Sequence, residues 1–115
     1  MRAIPILALS AVWLVAALGM ANAARGADAQ PSPFASGKPK EGAKLVERDC
    51  VTCHAQRFAG DHEQIYLRLD RRVRNPSQLL AQVQRCNTEL GRNYFPEEEE
   101  HVAAYLNLQY YHFAP

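Results

Sequence analysis

Apolar residues recur every three or four positions along most of the chain, which is the spacing of one helix face, and no sheet is predicted. The first such stretch begins at Pro39, which suits the first turn of a helix, and continues through Leu45 and Val46 to Cys50. Gly42 lies inside this helix, although glycine costs about 1 kcal/mol relative to alanine there. A glycine at this position therefore predicts that another backbone or a ring approaches the helix closely there. The alternative is that Gly42 is a tolerated glycine on the surface.

The last stretch provides a partner for that glycine. Pro96 is followed by four glutamates at 97–100, and both proline and acidic side chains suit the first turn of a helix. A docking patch for a basic partner is the alternative interpretation of the glutamates. The helix is predicted to continue to about His112, with one apolar face formed by Val102, Tyr105, Leu106, Gln109 and Phe113.

Two more helices are predicted between these. Asp61 and Gln64 resemble a capping arrangement, followed by a short amphipathic helix carrying Ile65, Tyr66 and Leu69. Asn75 as the cap and Pro76 at the first position begin a longer helix that runs to about Asn87. The inward face of this longer helix consists of Leu79, Leu80, Val83 and Cys86.

The N-terminus has the pattern of a secretory signal peptide. Arg2 precedes a largely apolar run at 4–20, and residues 21–23 read Ala-Asn-Ala, as at a cleavage site. A membrane anchor that is not cleaved is the alternative. We therefore predict a signal peptide over 1–23, a flexible Ala, Pro, Ser and Gly-rich leader over 24–38, and one domain over 39–115.

Cleavage after Ala23 leaves 92 residues, in which twelve Lys and Arg balance twelve Asp and Glu. This balance gives no indication of nucleic-acid binding, and no later stretch predicts stable membrane insertion. The hydrophobic core of so small a domain contributes only about 3–5 kcal/mol to the free energy of folding. Such a domain usually needs a further stabilising element, such as a covalently bound cofactor.

Residues 50–54 read Cys-Val-Thr-Cys-His, and Cys-x-x-Cys-His is the attachment signature of c-type haem. Residues three apart lie side by side on a helical turn, so the Cys50 and Cys53 sulfurs reach one edge of the macrocycle. The adjacent His54 then lies beneath the iron as its proximal ligand. Because haem is attached to such proteins outside the cytoplasm, the export signal and the motif support each other.

Two other chemistries use a Cys-x-x-Cys pair. A zinc site needs a second pair of ligands at comparable spacing, and only Cys86 and scattered histidines are left. A thioredoxin-like dithiol is expected within a βαβ pattern, which is not visible here. One covalent haem c, with its iron, is the cofactor that the motif favours.

The helices on either side of the motif resemble those of class I c-type cytochromes. The resemblance rests on residues 42–46 (Gly-Ala-Lys-Leu-Val), the haem motif, and residues 102–106 (Val-Ala-Ala-Tyr-Leu). It implies an all-α, cytochrome c-like domain wrapped around one covalently attached haem. It also implies that the first and last helices cross at Gly42, Val46, Val102 and Tyr105.

The sixth position of the iron departs from that family. The usual ligand is methionine, but Met1 and Met20 are the only methionines and leave with the signal peptide. Cys86 is a better candidate for the sixth ligand than the histidines. It lies at the end of an inward helix face, in the chain region where the family presents its distal ligand, and ferric iron would stabilise its thiolate. Cys86 as a buried spectator, or in an intermolecular disulfide, is the alternative. The other candidates are His62, which follows His54 closely, and two apparent surface histidines, His101 and His112.

Residues 85–98 carry a narrower resemblance, to His/Cys-ligated haems of thiosulfate-oxidising enzymes and to a small oxygen-binding cytochrome with a distal asparagine. In the asparagine-ligated proteins, however, the ligand stands where this chain has Arg85. A later cysteine is replaced here by Tyr94. Asn87 stays open as a ligand.

We therefore expect a periplasmic monohaem cytochrome that transfers electrons at low potential, with no catalytic residues of its own. The alternatives are a protein that binds NO, CO or O2 and a haem subunit of a sulfur-oxidising complex. Its partners would be redox proteins, including another haem subunit. One haem propionate is expected to meet an arginine from the basic middle of the chain, which contains Arg68, Arg71, Arg72, Arg74 and Arg85.

Overall fold

The computed structural model describes residues 30–114. They form five α-helices: α1 Pro39–Asp49, α2 Val51–Arg57, α3 Gln64–Leu67, α4 Pro76–Leu90 and α5 Pro96–Leu106. A π-helical turn, Asn107–Tyr111, continues α5, and no strand occurs among the described residues. The all-α prediction is confirmed. The predicted signal peptide, residues 1–23, lies outside the described range.

The close approach expected at Gly42 is confirmed where α1 crosses α5. A Cβ atom at position 42 would overlap the carbonyl oxygen of His101 and lie 2.9 Å from the Tyr105 Cβ. Leu45 and Val46, on the same face of α1, are buried beside it. The surface-glycine alternative is wrong, because only a residue without a side chain lets the two backbones touch.

Packed structure begins before Pro39, so the flexible leader expected over 24–38 is too long. Phe34 is 4% exposed and belongs to the hydrophobic core, and Ser32 is buried as well. The Gly37 amide donates to the Phe34 carbonyl oxygen at 2.9 Å, and a Cβ at Gly37 would overlap the Glu100 carbonyl oxygen. The segment has no periodicity, so its sequence pattern could not reveal that Phe34 joins the core.

The start of α4 follows the predicted local chemistry. The Asn75 side chain accepts from the Gln78 amide at 2.9 Å, and Pro76 occupies the first helical position. The helix ends three residues later than expected, at Leu90, where Gly91 adopts a left-handed conformation with φ of 60°.

The acidic start of α5 is engaged in the fold. The Glu98 carboxylate accepts from the Phe95 amide at 2.9 Å, which is half of a capping box, and the Glu99 carboxylate accepts from the Asn87 side chain at 2.7 Å. Farther along, Val102, Ala103 and Leu106 are buried in the core.

Two predicted apolar faces are wrong at their ends. Gln109 is exposed, because the π-helical turn changes the pitch after Leu106 and brings Tyr111 to the core instead. Leu69 is 96% exposed, because α3 stops at Leu67 and helical spacing no longer applies. The predicted cap is confirmed, since Asp61 accepts from both the Glu63 amide and the Gln64 side chain.

Within residues 30–114, no helix has the length and apolarity needed to cross a bilayer.

The contact at Gly42 makes a prediction about stability. In an open helix position, glycine to alanine stabilises by about 1 kcal/mol, but here the new methyl group has no room. We expect Gly42→Ala to lower the free energy of unfolding by about 3 kcal/mol in denaturant titrations. Gly91→Ala is the control, because no heavy atom lies within 4 Å of its Cβ position and only the left-handed backbone costs about 1 kcal/mol. A Gly42→Ala protein as stable as the wild type would contradict this helix crossing.

Candidate functional site

Cys50 lies at the junction of α1 and α2, and Cys53 and His54 follow it in the first turn of α2. Cys50 ends α1 and caps α2, and its carbonyl oxygen accepts from the His54 amide at 3.2 Å. The backbone thus continues from the helix that crosses α5 directly into the motif. Cys50 and His54 are half-buried, and Cys53 is exposed.

These three residues line one cavity of about 430 Å³, a volume typical of ligand and cofactor sites. Cys86, from α4, lines the same cavity. The structure therefore brings together all four residues that the sequence singled out. The apolar part of the wall includes Ile65, Val73, Leu79, Val83, Leu90, Val102 and Leu106.

The His54 imidazole is held by a tyrosine that the sequence analysis did not connect to it. The Tyr66 hydroxyl oxygen lies 2.9 Å from His54 Nδ1, and the two rings meet edge to face with centroids 5.4 Å apart. Burial lowers the pKa of His54, and the positive charges of Arg57 and His62 act in the same direction. The neutral imidazole, which is the form that binds metals, is thus favoured.

The environment of Cys50 does not suit a reactive dithiol. Burial raises the pKa of the Cys50 thiol to about 11, and the nearby Cys86 and Asp49 contribute in the same direction. Redox-active Cys-x-x-Cys pairs depend on a thiol whose pKa is lowered. All three cysteines are free thiols within the described residues.

Cys86 occupies the inward face of α4, as predicted. Leu79 and Val83, two turns and one turn before it, are 1% and 6% exposed, and Cys86 itself is half-buried. Its sulfur accepts a hydrogen bond from the Gln82 side chain at 3.3 Å.

The neighbouring Asn87 is engaged elsewhere. Its Oδ1 accepts from the Tyr94 amide at 3.0 Å, and its Nδ2 donates to the Tyr94 carbonyl oxygen and to Glu99. These bonds fasten the loop between α4 and α5. Ligation by Asn87 would require them to break, so its geometry favours a structural role.

The rim of the cavity is basic. Arg57, Arg68, Arg71, Arg72, Arg85 and Arg92 line it, against the carboxylates of Asp49 and Glu89. Arg74, the remaining arginine of the predicted basic centre, does not line it. This excess of positive charge suits an anionic ligand.

Arg68 has a donor that the protein leaves unsatisfied. Its Nε is buried without a hydrogen bond, although it forms an ion pair with the exposed Asp70, whose Oδ1 lies 3.5 Å away. Arg71, in contrast, donates to the Tyr66 carbonyl oxygen at 2.9 Å. An anionic group in the cavity could satisfy Arg68 Nε, since buried donors are normally paired.

The other histidines lie outside the cavity wall. His62 is half-buried and close enough to His54 for its charge to affect the His54 pKa. His101 Nδ1 accepts from the Lys38 amide at 3.1 Å, at the start of α1, and His112 is exposed.

Asp49, next to Cys50, is a site residue that the sequence did not reveal. Its side chain is 6% exposed and accepts from Arg48 at 2.6 Å and from the Tyr94 hydroxyl, while Arg92 lies 3.5 Å away. The hydrogen bond from Arg48 holds the pKa of Asp49 below its ordinary value, although burial opposes it. We call Asp49, Arg48, Arg92 and Tyr94 the Asp49 clamp, because they join the end of α1 to the loop before α5.

Among residues 30–114, no three or more His, Cys, Asp or Glu side chains form a group that could hold a metal ion. This finding gives the zinc alternative no support. A haem iron takes four ligands from the porphyrin and needs only one or two from the protein, so the haem interpretation does not require such a group.

Comparisons with protein families, curated proteins and solved structures give no match for this chain.

The Asp49 clamp predicts how stability depends on pH. Because the folded-state pKa of Asp49 is depressed, its contribution is present above the ordinary value of 3.8 and is lost as the pH falls through the lower folded-state value. We expect Asp49→Asn to cost about 2 kcal/mol at pH 7 and to flatten the acid side of the stability profile, measured by denaturant unfolding.

Glu47→Gln is the matched control, since it removes an exposed carboxylate from the same helix. It should leave the acid side of the profile close to that of the wild type. If Asp49→Asn loses stability in acid as steeply as the wild type does, the clamp does not contribute as described.

Proposed function

We propose that this chain is a monohaem c-type cytochrome that transfers electrons through one covalently attached haem. The observation that carries the proposal is that Cys50, Cys53 and His54 line one cavity, with His54 Nδ1 engaged by Tyr66. The other ring nitrogen, Nε2, is then the one available to iron. This arrangement is what the attachment motif requires of its three residues.

The residues present fit the group. The Cys50 and Cys53 sulfurs would hold it by thioether bonds, and His54 would be the proximal iron ligand. The buried, unsatisfied Arg68 Nε and the basic rim suit its propionates, and the apolar wall suits its porphyrin. When bound, haem supplies a one-electron Fe(III)/Fe(II) couple.

The helix crossing supports the resemblance to class I cytochromes. Gly42 of α1 contacts α5 at His101 and Tyr105, and Val46 and Val102 are both buried nearby, as that resemblance implies. The predicted signal peptide and the haem motif supply the periplasmic location, and the resemblances supply redox protein partners, including another haem subunit, as parts of the proposal.

Cys86 is the proposed distal ligand of the iron. It lines the same cavity as Cys50, Cys53 and His54, from the facing helix α4. An anionic sulfur ligand stabilises Fe(III) and would give a low reduction potential.

Gas binding is the second candidate function. Gln82 donates to the Cys86 sulfur, and a sulfur that already accepts a hydrogen bond is a weaker donor to iron. A weak distal bond is one that CO or NO displaces. The third candidate, a haem subunit of a sulfur-oxidising complex, rests on the narrower resemblance alone.

Covalent attachment is the first test of the proposal. The full chain is produced with its export signal in cells that mature c-type cytochromes, and its pigment is extracted with acidified organic solvent. The haem should stay with the polypeptide, because thioether bonds survive conditions that break coordination. The Cys50→Ser/Cys53→Ser variant should release all of its pigment, whereas Cys86→Ser, the control for removing a thiol, should retain it. Free extraction from the wild type would overturn the proposal.

The role of Cys86 is tested by spectroscopy and potentiometry of the haem-loaded protein. We expect Cys86→Ala to change the ferric absorption and paramagnetic resonance spectra and to raise the potential by more than about 100 mV, within the ~0.8 V range that axial ligands set. The reduced variant should also bind CO more readily. Gln84→Ala, an exposed change on the same helix, should alter none of these. Unchanged spectra and potential in Cys86→Ala would rule out ligation and make His62 the next residue to test.

A further inference from the structure

The Tyr66 hydroxyl is placed to control the proximal histidine. Its oxygen lies 2.9 Å from His54 Nδ1, and Tyr66 is only 5% exposed. The edge-to-face contact of the two rings fixes the imidazole plane as well as its nitrogen.

Several contacts fix Tyr66 in turn. Its ring stacks on Tyr110 with centroids 4.6 Å apart, and it meets Tyr111 edge to face. Arg71 donates to the Tyr66 carbonyl oxygen at 2.9 Å, and its guanidinium lies 4.7 Å from the centre of the Tyr111 ring. The hydroxyl is therefore held by packing from the π-helical turn, and it is not a freely rotating surface group.

The direction of the hydrogen bond follows from the proposed ligation. A neutral imidazole that binds iron through Nε2 carries its one proton on Nδ1. His54 Nδ1 is then the donor, and the Tyr66 oxygen is the acceptor. Such an outer hydrogen bond fixes the tautomer and makes the ligand more basic.

We infer that Tyr66 is the positioning residue of the proximal ligand: it accepts from His54 Nδ1, sets the orientation of the imidazole, and stabilises Fe(III) relative to Fe(II). This inference rests on the proposed haem function. It adds a way of setting the potential from the histidine side, separate from any ligand on the other side of the iron.

The test compares Tyr66→Phe with Tyr110→Phe in the haem-loaded protein. Both variants keep the aromatic ring and lose one hydroxyl, but the Tyr110 hydroxyl donates to Glu63 at 3.1 Å and not to His54. Two quantities are measured: the midpoint potential, and the exchange rate of the His54 Nδ1 proton by nuclear magnetic resonance of the reduced protein.

We expect Tyr66→Phe to shift the Fe(III)/Fe(II) equilibrium toward Fe(II) by up to about tenfold, equivalent to ~59 mV, and to speed exchange of the Nδ1 proton. Tyr110→Phe should change neither. If the two variants behave alike while both carry covalent haem, this inference is wrong and the haem function stands. If the wild type carries no covalent haem, both are overturned.

Discussion

The contact between the backbones of α1 and α5 at Gly42 determines where the rest of the site lies. Because α1 continues into the Cys-x-x-Cys-His turn, fixing α1 also fixes one wall of the cavity. Because α5 continues into the π-helical turn, the same contact also places Tyr111, which lies near the C-terminal end of the chain, against that cavity. A small domain has few contacts with which to define a site. The contact at Gly42 positions both the Cys-x-x-Cys-His turn and the π-helical turn.

Features set by local chemistry could be predicted from the sequence. Pro39, Asn75 with Pro76, and Pro96 begin helices because their backbone preferences and caps act within a single turn. The four candidate site residues, which line one cavity, could also be named from the sequence, three of them from the spacing of the Cys-x-x-Cys-His motif. Cys86 followed from the periodicity of α4, which ends at a left-handed glycine as such helices often do.

Features that depend on contacts distant in sequence could not be predicted. Phe34 joins the core although nothing near it is periodic, and Leu69 leaves the core because α3 ends early. Gln109 is exposed because the helix changes pitch, which no residue type signals reliably. The contacts of Tyr66 with His54 and of Asp49 with Tyr94 join separate elements of the fold. The sequence shows that these residues are present, but it does not show which of them pair.

The Asp49 clamp has a consequence for how the loop before α5 stays closed. The link between Tyr94 and the end of α1 is a hydrogen bond to the Asp49 carboxylate, beside the charges of Arg48 and Arg92. A disulfide at such a place would open or close with the thiol–disulfide balance of its surroundings. The clamp contains no sulfur, so it responds to acid, which protonates Asp49, and not to reductants.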